Sequence, residues 1–269
     1  MFKDWILSNY SAFGTRSVKP WNLAHIFTLL ICIFTVILLT IIFRNKTEKE
    51  RRNVIKIYAY FLIAFEVVRR IVNLIKMSAF TLDGFAYIML PRPWCAISCW
   101  CFIVGAFLNK KTLYNITSMF GIICTLIFFA YPSVGFNEKF WVFEDLYSVG
   151  THALLLTGAI LLITLRFTEF KYKEIWKEAI FYGCSLVYVA FLIFTKIEGD
   201  PMYFMPESEA MEVLGLNYGV YLPIYIIFIF IYFNLFYLIS ERHKIFDYIH
   251  FHFVDRKNNS YNEKNNKNN

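Results

Sequence analysis

The residues best suited to do chemistry lie in the string Leu90-Pro91-Arg92-Pro93-Trp94-Cys95, inside a stretch that otherwise predicts a membrane-spanning helix. Pro93 fits best in the first turn of a helix that restarts there, because proline has no N–H to donate. Cys95 would then lie in that first turn, where the helix dipole and Arg92 favour the nucleophilic thiolate. The alternative is that the prolines only kink a packing helix and Cys95 fills space.

A candidate proton acceptor follows two spans later. Asp145, Ser148 and His152 recur at helical spacing and share one face. His152 is the only histidine in the interior of a predicted span. A cysteine beside a histidine is the arrangement of a nucleophile with its acid/base partner, so we expect Cys95 and His152 to be catalytic. Asp145 is a candidate to orient the imidazole, although His152 could instead simply bond a neighbouring helix.

The second span carries a charged face that could hold an anion. Glu66 can pair with Arg69 or Arg70, which lie one turn along the helix, and either pairing leaves the other arginine without a counter-charge. A surplus of guanidinium at membrane depth suits a phosphate or carboxylate. The alternative is an ion pair that only locks helices together. The expected substrate-binding residues are Glu66, Arg69, Arg70, Asn73, Arg92 and Ser148.

The elements that position these residues follow from composition. The chain has 269 residues, of which 58% are hydrophobic and 20% aromatic. Seven apolar runs approach the roughly 20 residues that cross a bilayer, at about 22–43, 54–76, 86–108, 113–131, 146–165, 179–196 and 218–239. The sequence predicts an all-α polytopic membrane protein, with one seven-transmembrane-helix domain over 1–240. The tail, 241–269, is predicted to be disordered from about residue 257.

The distribution of basic residues predicts the orientation. Seventeen Lys and Arg residues fall in the odd connections and the tail, against four in the even connections and before the first span. The N-terminus is therefore expected outside and the C-terminus in the cytoplasm of a cell membrane. The net charge of +7 follows this rule, so no nucleic-acid partner is expected. Protein partners are left unassigned.

Cysteine usage predicts neither a metal nor a cofactor. All six cysteines lie within predicted spans, and none has zinc-ligand spacing with histidine. Apart from Cys95, we expect them to be small buried hydrophobic residues.

Depth connects the candidate residues. With an outside N-terminus, Cys95 and His152 lie about nine and six residues from the outer ends of their spans. At ~1.5 Å per residue these are depths of roughly 14 and 9 Å. Glu66 and the arginines reach a similar layer, which predicts one shared site in the outer half of the bilayer.

The Leu-Pro-x-x-x-Cys break, followed by Ala96-Ile97-Ser98 and later by His152, resembles the YwaF-like integral membrane family of bacteria. The likeness extends to about residue 240. That family is similar to a eukaryotic transmembrane acyltransferase that remodels ether phospholipids. The resemblance implies that Cys95 matches its acyl-carrying cysteine and His152 its partner histidine. This chain departs from the family pattern after the first proline. The family usually has a leucine followed by a polar residue at these two positions, whereas this chain has Arg92 and Pro93.

Two functions are compatible with these residues. The first is a thiol-dependent phospholipid acyltransferase or lipid hydrolase, for which membrane phospholipid is both substrate and solvent. The second is a non-catalytic transporter or substrate-binding membrane subunit for a small anion. Replacement of Cys95 by serine abolishes turnover in the first case and is nearly harmless in the second.

Overall fold

The computed structural model describes residues 21–76, 81–91, 94–130, 141–197 and 214–239, with a few isolated positions between them. Arg92 and the tail from residue 240 lie outside the described residues, so the predictions made for them stay predictions. The helices of the described part are α1 Leu23–Phe43, α2 Glu48–Lys76, α3 Leu82–Met89, α4 Cys95–Leu108, α5 Lys111–Ala130, α6 Phe143–Thr164, α7 Ile175–Phe194 and α8 Tyr218–Ile239.

The described residues contain helices and no strand, which confirms the all-α class. Five helices are long and apolar enough to cross a membrane: α1, α5, α6, α8, and α7 together with the 3₁₀ turn before it. Helix α2 is long but heavily charged, and α4 is apolar but short. The count of seven spans and the orientation of the termini stay predictions.

Apolar surface faces outward along much of the chain, as expected in a lipid solvent. Helix α1 is the clearest case, because only His25 and Cys32 of its residues are buried. Leu23 and Ile41, near its two ends, are 71% and 73% exposed. The expectation that all the other cysteines are buried is wrong at Cys184, which is exposed on α7 among such apolar side chains.

Helix α6 lies at the centre of the bundle and packs against α1, α2, α4 and α5. Gly158 makes part of this packing possible. A Cβ atom there would lie 2.8 Å from the Phe102 ring of α4 and 3.3 Å from the Tyr58 ring of α2. Small residues at such crossings let membrane helices approach closely. The close approach brings the polar faces of α2, α4 and α6 together.

The predicted break in the third span separates α3 from α4. This break leaves backbone carbonyl groups without their helical hydrogen bonds, and lipid has no water to satisfy them. The carbonyl of Met89 accepts a hydrogen bond from Arg70 at 3.3 Å, and that of Pro91 accepts one from the Tyr188 hydroxyl at 2.9 Å. The prediction that the helix restarts with Cys95 in its first turn is confirmed, because Cys95 is the first residue of α4.

Candidate functional site

Cys95 and His152 are in contact. The Nε2 atom of the imidazole lies 3.0 Å from the sulfur of Cys95, across the interface between α6 and α4. Both side chains are half-buried. A nucleophile and a base within hydrogen-bond reach are the minimum geometry for nucleophilic catalysis. The structure therefore brings together the two residues that the sequence predicts to be catalytic.

The ring of His152 is held from its other side. Its Nδ1 atom lies 2.7 Å from the backbone carbonyl oxygen of Ser148, one turn earlier in α6. A carbonyl can only accept, so Nδ1 carries the proton in the neutral ring and Nε2 presents its lone pair to Cys95. The Phe128 ring of α5 stacks on the imidazole with centroids 3.7 Å apart and planes 9° apart. Tautomer and ring plane are thus both set by neighbours.

The other two residues of the predicted α6 stripe are Ser148 and Asp145, which contact the imidazole and the backbone respectively. Ser148 acts on His152 through its backbone carbonyl, which any residue would supply. Asp145 accepts a hydrogen bond from the backbone N–H of Val142 at 3.1 Å and so caps the start of α6. The histidine is therefore oriented by its own helix backbone, with no need of the Asp145 carboxylate.

Glu66 is the centre of the charged face of α2. It is 1% exposed and is bonded by three partners. Arg70 donates to its carboxylate, Arg69 lies 3.6 Å away, and the Tyr147 hydroxyl of α6 donates at 2.6 Å. A carboxylate with three such partners is satisfied as a buried charge should be. Glu66 therefore organises the arginines, and its own acceptor capacity is largely taken.

The two arginines differ in how fully they are engaged. Arg70 bonds both Glu66 and the freed carbonyl of Met89, and its guanidinium lies 5.4 Å from the centre of the Trp100 ring. Arg69 lies 5.4 Å from the centre of the Tyr147 ring, and its buried Nε makes no hydrogen bond in the described part of the chain. Arg69 is thus the arginine with donor capacity left for an anion.

Two predicted binding residues have no described contact with the site. Asn73 lies one turn beyond Arg69 on α2 and is half-buried, and Arg92 lies outside the described residues. The charged cluster nevertheless contacts the helix that carries the thiol, because the Arg70 guanidinium lies against the Trp100 ring of α4.

Three residues of this site had not been singled out from the sequence. Tyr147 falls between Asp145 and Ser148 but off their stripe, Phe128 is one of 30 phenylalanines, and Cys124 is one of six cysteines. Cys124 belongs to α5 and to the buried cluster against which Cys95 packs, and its thiol donates to the backbone carbonyl of Gly121 at 3.4 Å. Nothing in residue type or spacing distinguishes these three from ordinary packing residues. Among the described residues, no group of three His, Cys, Asp or Glu side chains is arranged to hold a metal ion.

Comparison with known proteins gives one match. The model of the TMEM164 family matches residues 20–240, which include every helix of the site. No curated protein and no solved structure matches the chain.

Proposed function

Starting from the fact that this chain belongs to the TMEM164 family, we propose that it is a thiol-dependent phospholipid acyltransferase or lipid hydrolase of the cell membrane. Cys95 is the nucleophile and His152 its acid/base partner. The single observation that carries the proposal is the 3.0 Å contact between His152 Nε2 and the Cys95 sulfur. The family resemblance drawn from the sequence points to the same chemistry.

The proposed reaction has two steps. His152 Nε2 takes the thiol proton, the sulfur attacks the acyl carbonyl carbon of a phospholipid, and the ester C–O bond breaks. The lysophospholipid oxygen leaves with the proton from His152, and a thioester remains on Cys95. An acceptor hydroxyl or water then attacks the thioester while His152 takes its proton. The C–S bond breaks, and the proton returns to the thiol.

Charge complementarity supports a phospholipid as donor. Glu66, Arg69 and Arg70 together carry one excess positive charge in a helix bundle. Arg69 has a buried Nε without a partner in the described residues, and a phosphate oxygen is a strong acceptor for such a donor. The phosphate of the donor lipid would then lie toward α2, beside Tyr147 of α6.

The orientation is part of the proposal. The distribution of basic residues supports an N-terminus outside and a site in the outer half of the bilayer. The acyl donor and a lipid acceptor would then both come from the outer leaflet, and water would reach the thioester from outside the cell.

The test is an intact-mass measurement on the purified protein in nanodiscs that contain a mixed phospholipid pool. We expect an acyl adduct on the wild type that hydroxylamine removes and that is absent from Cys95→Ser. The matched control is Cys184→Ser, which removes an exposed thiol from α7 and should keep the adduct. His152→Ala should abolish or greatly slow adduct formation.

One result separates the proposal from the alternative of an anion transporter or binding subunit. If no adduct forms on the wild type, and Cys95→Ser still binds or transports a small anion that Arg69→Gln does not, the acyltransferase proposal is wrong.

A further inference from the structure

A small cavity lies between the start of α4 and the neighbouring helices α5 and α7. It has room for about one water molecule. Its lining includes Trp94 and Ser98 at the start of α4, Ser185 on α7 and Met202 in the sixth connection, with aromatic rings from α5 and α7 as apolar walls. A cavity of this size is too small for a lipid chain and suits a single water.

Two polar side chains of this lining have no partner among the described residues. The indole Nε1 of Trp94 and the hydroxyl oxygen of Ser98 are both buried, and neither makes a hydrogen bond there. Ser98 as a whole is 1% exposed. Buried polar groups without partners destabilise a fold and are rare, so two of them at one cavity call for a common explanation.

A third polar group lines the same cavity. The Ser185 hydroxyl donates to the backbone carbonyl of Phe181 at 2.9 Å, so its oxygen can still accept a hydrogen bond. The Trp94 indole can only donate, whereas a serine oxygen can accept. A water molecule that accepts from the indole can therefore donate to both hydroxyl oxygens. Three hydrogen bonds are the usual number for a buried water.

We propose that this cavity is a binding site for one ordered water molecule, which accepts from the Trp94 indole N–H and donates to the hydroxyl oxygens of Ser98 and Ser185. Helix α4 packs mainly on α2, α5 and α6. The water adds a link from its first turn, which also carries Cys95, to α7. This inference is independent of the acyl transfer proposed above, because Cys95 is not part of the lining.

The first experiment is X-ray radiolysis of the full chain in nanodiscs, followed by digestion and mass spectrometry. Ionising radiation converts a bound water to a hydroxyl radical, which oxidises an adjacent methionine to its sulfoxide. Met202 lines the cavity and is 1% exposed, whereas Met119 on α5 is 0% exposed and is not part of the lining. We expect Met202 to be oxidised several times faster than Met119.

A variant separates a bound water from brief exposure of Met202 to solvent. Ser98→Val removes the hydroxyl and adds a methyl group at the cavity, so it should displace the water. Oxidation of Met202 should then fall to the rate of Met119. Equal oxidation of the two methionines in the wild type, or an unchanged Met202 rate in Ser98→Val, would contradict the proposal.

The second experiment uses the sign of a stability change. Loss of a hydroxyl that bonds a water destabilises the fold, whereas loss of an unpartnered buried hydroxyl is neutral or stabilising. Ser98→Ala should therefore lower the thermal unfolding midpoint by about 2–4 °C. The matched control is Thr117→Val on α5. The Thr117 hydroxyl is also buried without a partner in the described part of the chain, but Thr117 does not line the cavity. Its replacement should keep or raise the midpoint.

A double variant tests whether Trp94 and Ser98 share one water. The effects of Trp94→Phe and Ser98→Ala on the unfolding midpoint should be less than additive, because either change removes a partner of the same molecule. Full additivity would show that no water joins the two groups. A midpoint that Ser98→Ala leaves unchanged or raises, as in Thr117→Val, would show that the Ser98 hydroxyl bonds no water.

Discussion

His152 Nε2 and the Cys95 sulfur lie 3.0 Å apart, although 57 positions separate the two residues along the chain. The contact depends on three constraints: the break in the third span starts α4 at Cys95, α6 crosses α4 closely at Gly158, and the Ser148 carbonyl orients the imidazole. Each constraint can be tested separately from the chemistry.

Ser148→Ala should leave the rate of Cys95 acylation unchanged, because the backbone carbonyl that bonds His152 Nδ1 is retained. Phe128→Ala should lower that rate, since it removes the ring stacked on the imidazole. Both rates are measured by intact mass during a single turnover. A large loss in Ser148→Ala would show that its hydroxyl binds substrate, as the sequence suggests.

Arg69 and Arg70 should respond differently to replacement. Arg69→Gln should raise the KM for the phospholipid donor, because its Nε, which has no hydrogen-bond partner among the described residues, is the proposed phosphate contact. Arg70→Met should lower the free energy of unfolding by about 3–5 kcal/mol, since it breaks a buried ion pair with Glu66. Initial rates and unfolding in mixed detergent micelles measure the two effects. The reverse pattern would assign the phosphate to Arg70.

Gly158→Ala should destabilise the protein by about 1–3 kcal/mol, because the added Cβ would lie 2.8 Å from Phe102 and push α4 from α6. The matched control is Gly183→Ala on α7, where no described residue outside the local helix backbone comes within 4 Å of the added Cβ. Thermal unfolding in detergent compares the two variants. Equal stability of both would mean that α6 and α4 are less closely packed than described.

Tyr188→Phe should destabilise the protein by about 1–3 kcal/mol, because the carbonyl of Pro91 loses the hydroxyl that satisfies it. It should also slow acylation of Cys95, which follows the same break. Tyr60→Phe is the control, at a tyrosine that is 58% exposed on α2. An unchanged melting temperature in Tyr188→Phe would show that the broken span needs no such bond.

The orientation can be tested by reporter fusions in a bacterial host. A C-terminal fluorescent protein should fold and fluoresce, and alkaline phosphatase at the same place should be inactive, because the C-terminus is predicted to be cytoplasmic. Alkaline phosphatase fused after residue 140, in a connection predicted to be outside, should be active. Alkaline phosphatase that is active at the C-terminus and inactive after residue 140 would show that the topology is the reverse of the predicted one.

Much of the fold follows from local sequence. Apolar runs of sufficient length predict helices in a membrane protein, because the backbone has no other way to satisfy its polar groups in lipid. Pro91 and Pro93 predict the break, since proline cannot continue the hydrogen-bond ladder. The spacing of Glu66, Arg69 and Arg70 predicts their shared face, because helical periodicity is a local property.

Contacts between helices do not follow from local sequence, because they depend on how the helices pack against one another. The sequence by itself determined the helical membrane class, a helix restart with Cys95 in its first turn, and the choice of Cys95 and His152 as candidates, since residue type and spacing carry that information. Only the tertiary structure decided that the Ser148 carbonyl orients His152, that Phe128 stacks on the imidazole, and that Tyr147 and Cys124 join the site. These relations join atoms of different helices or backbone groups common to all residues, so no residue type encodes them.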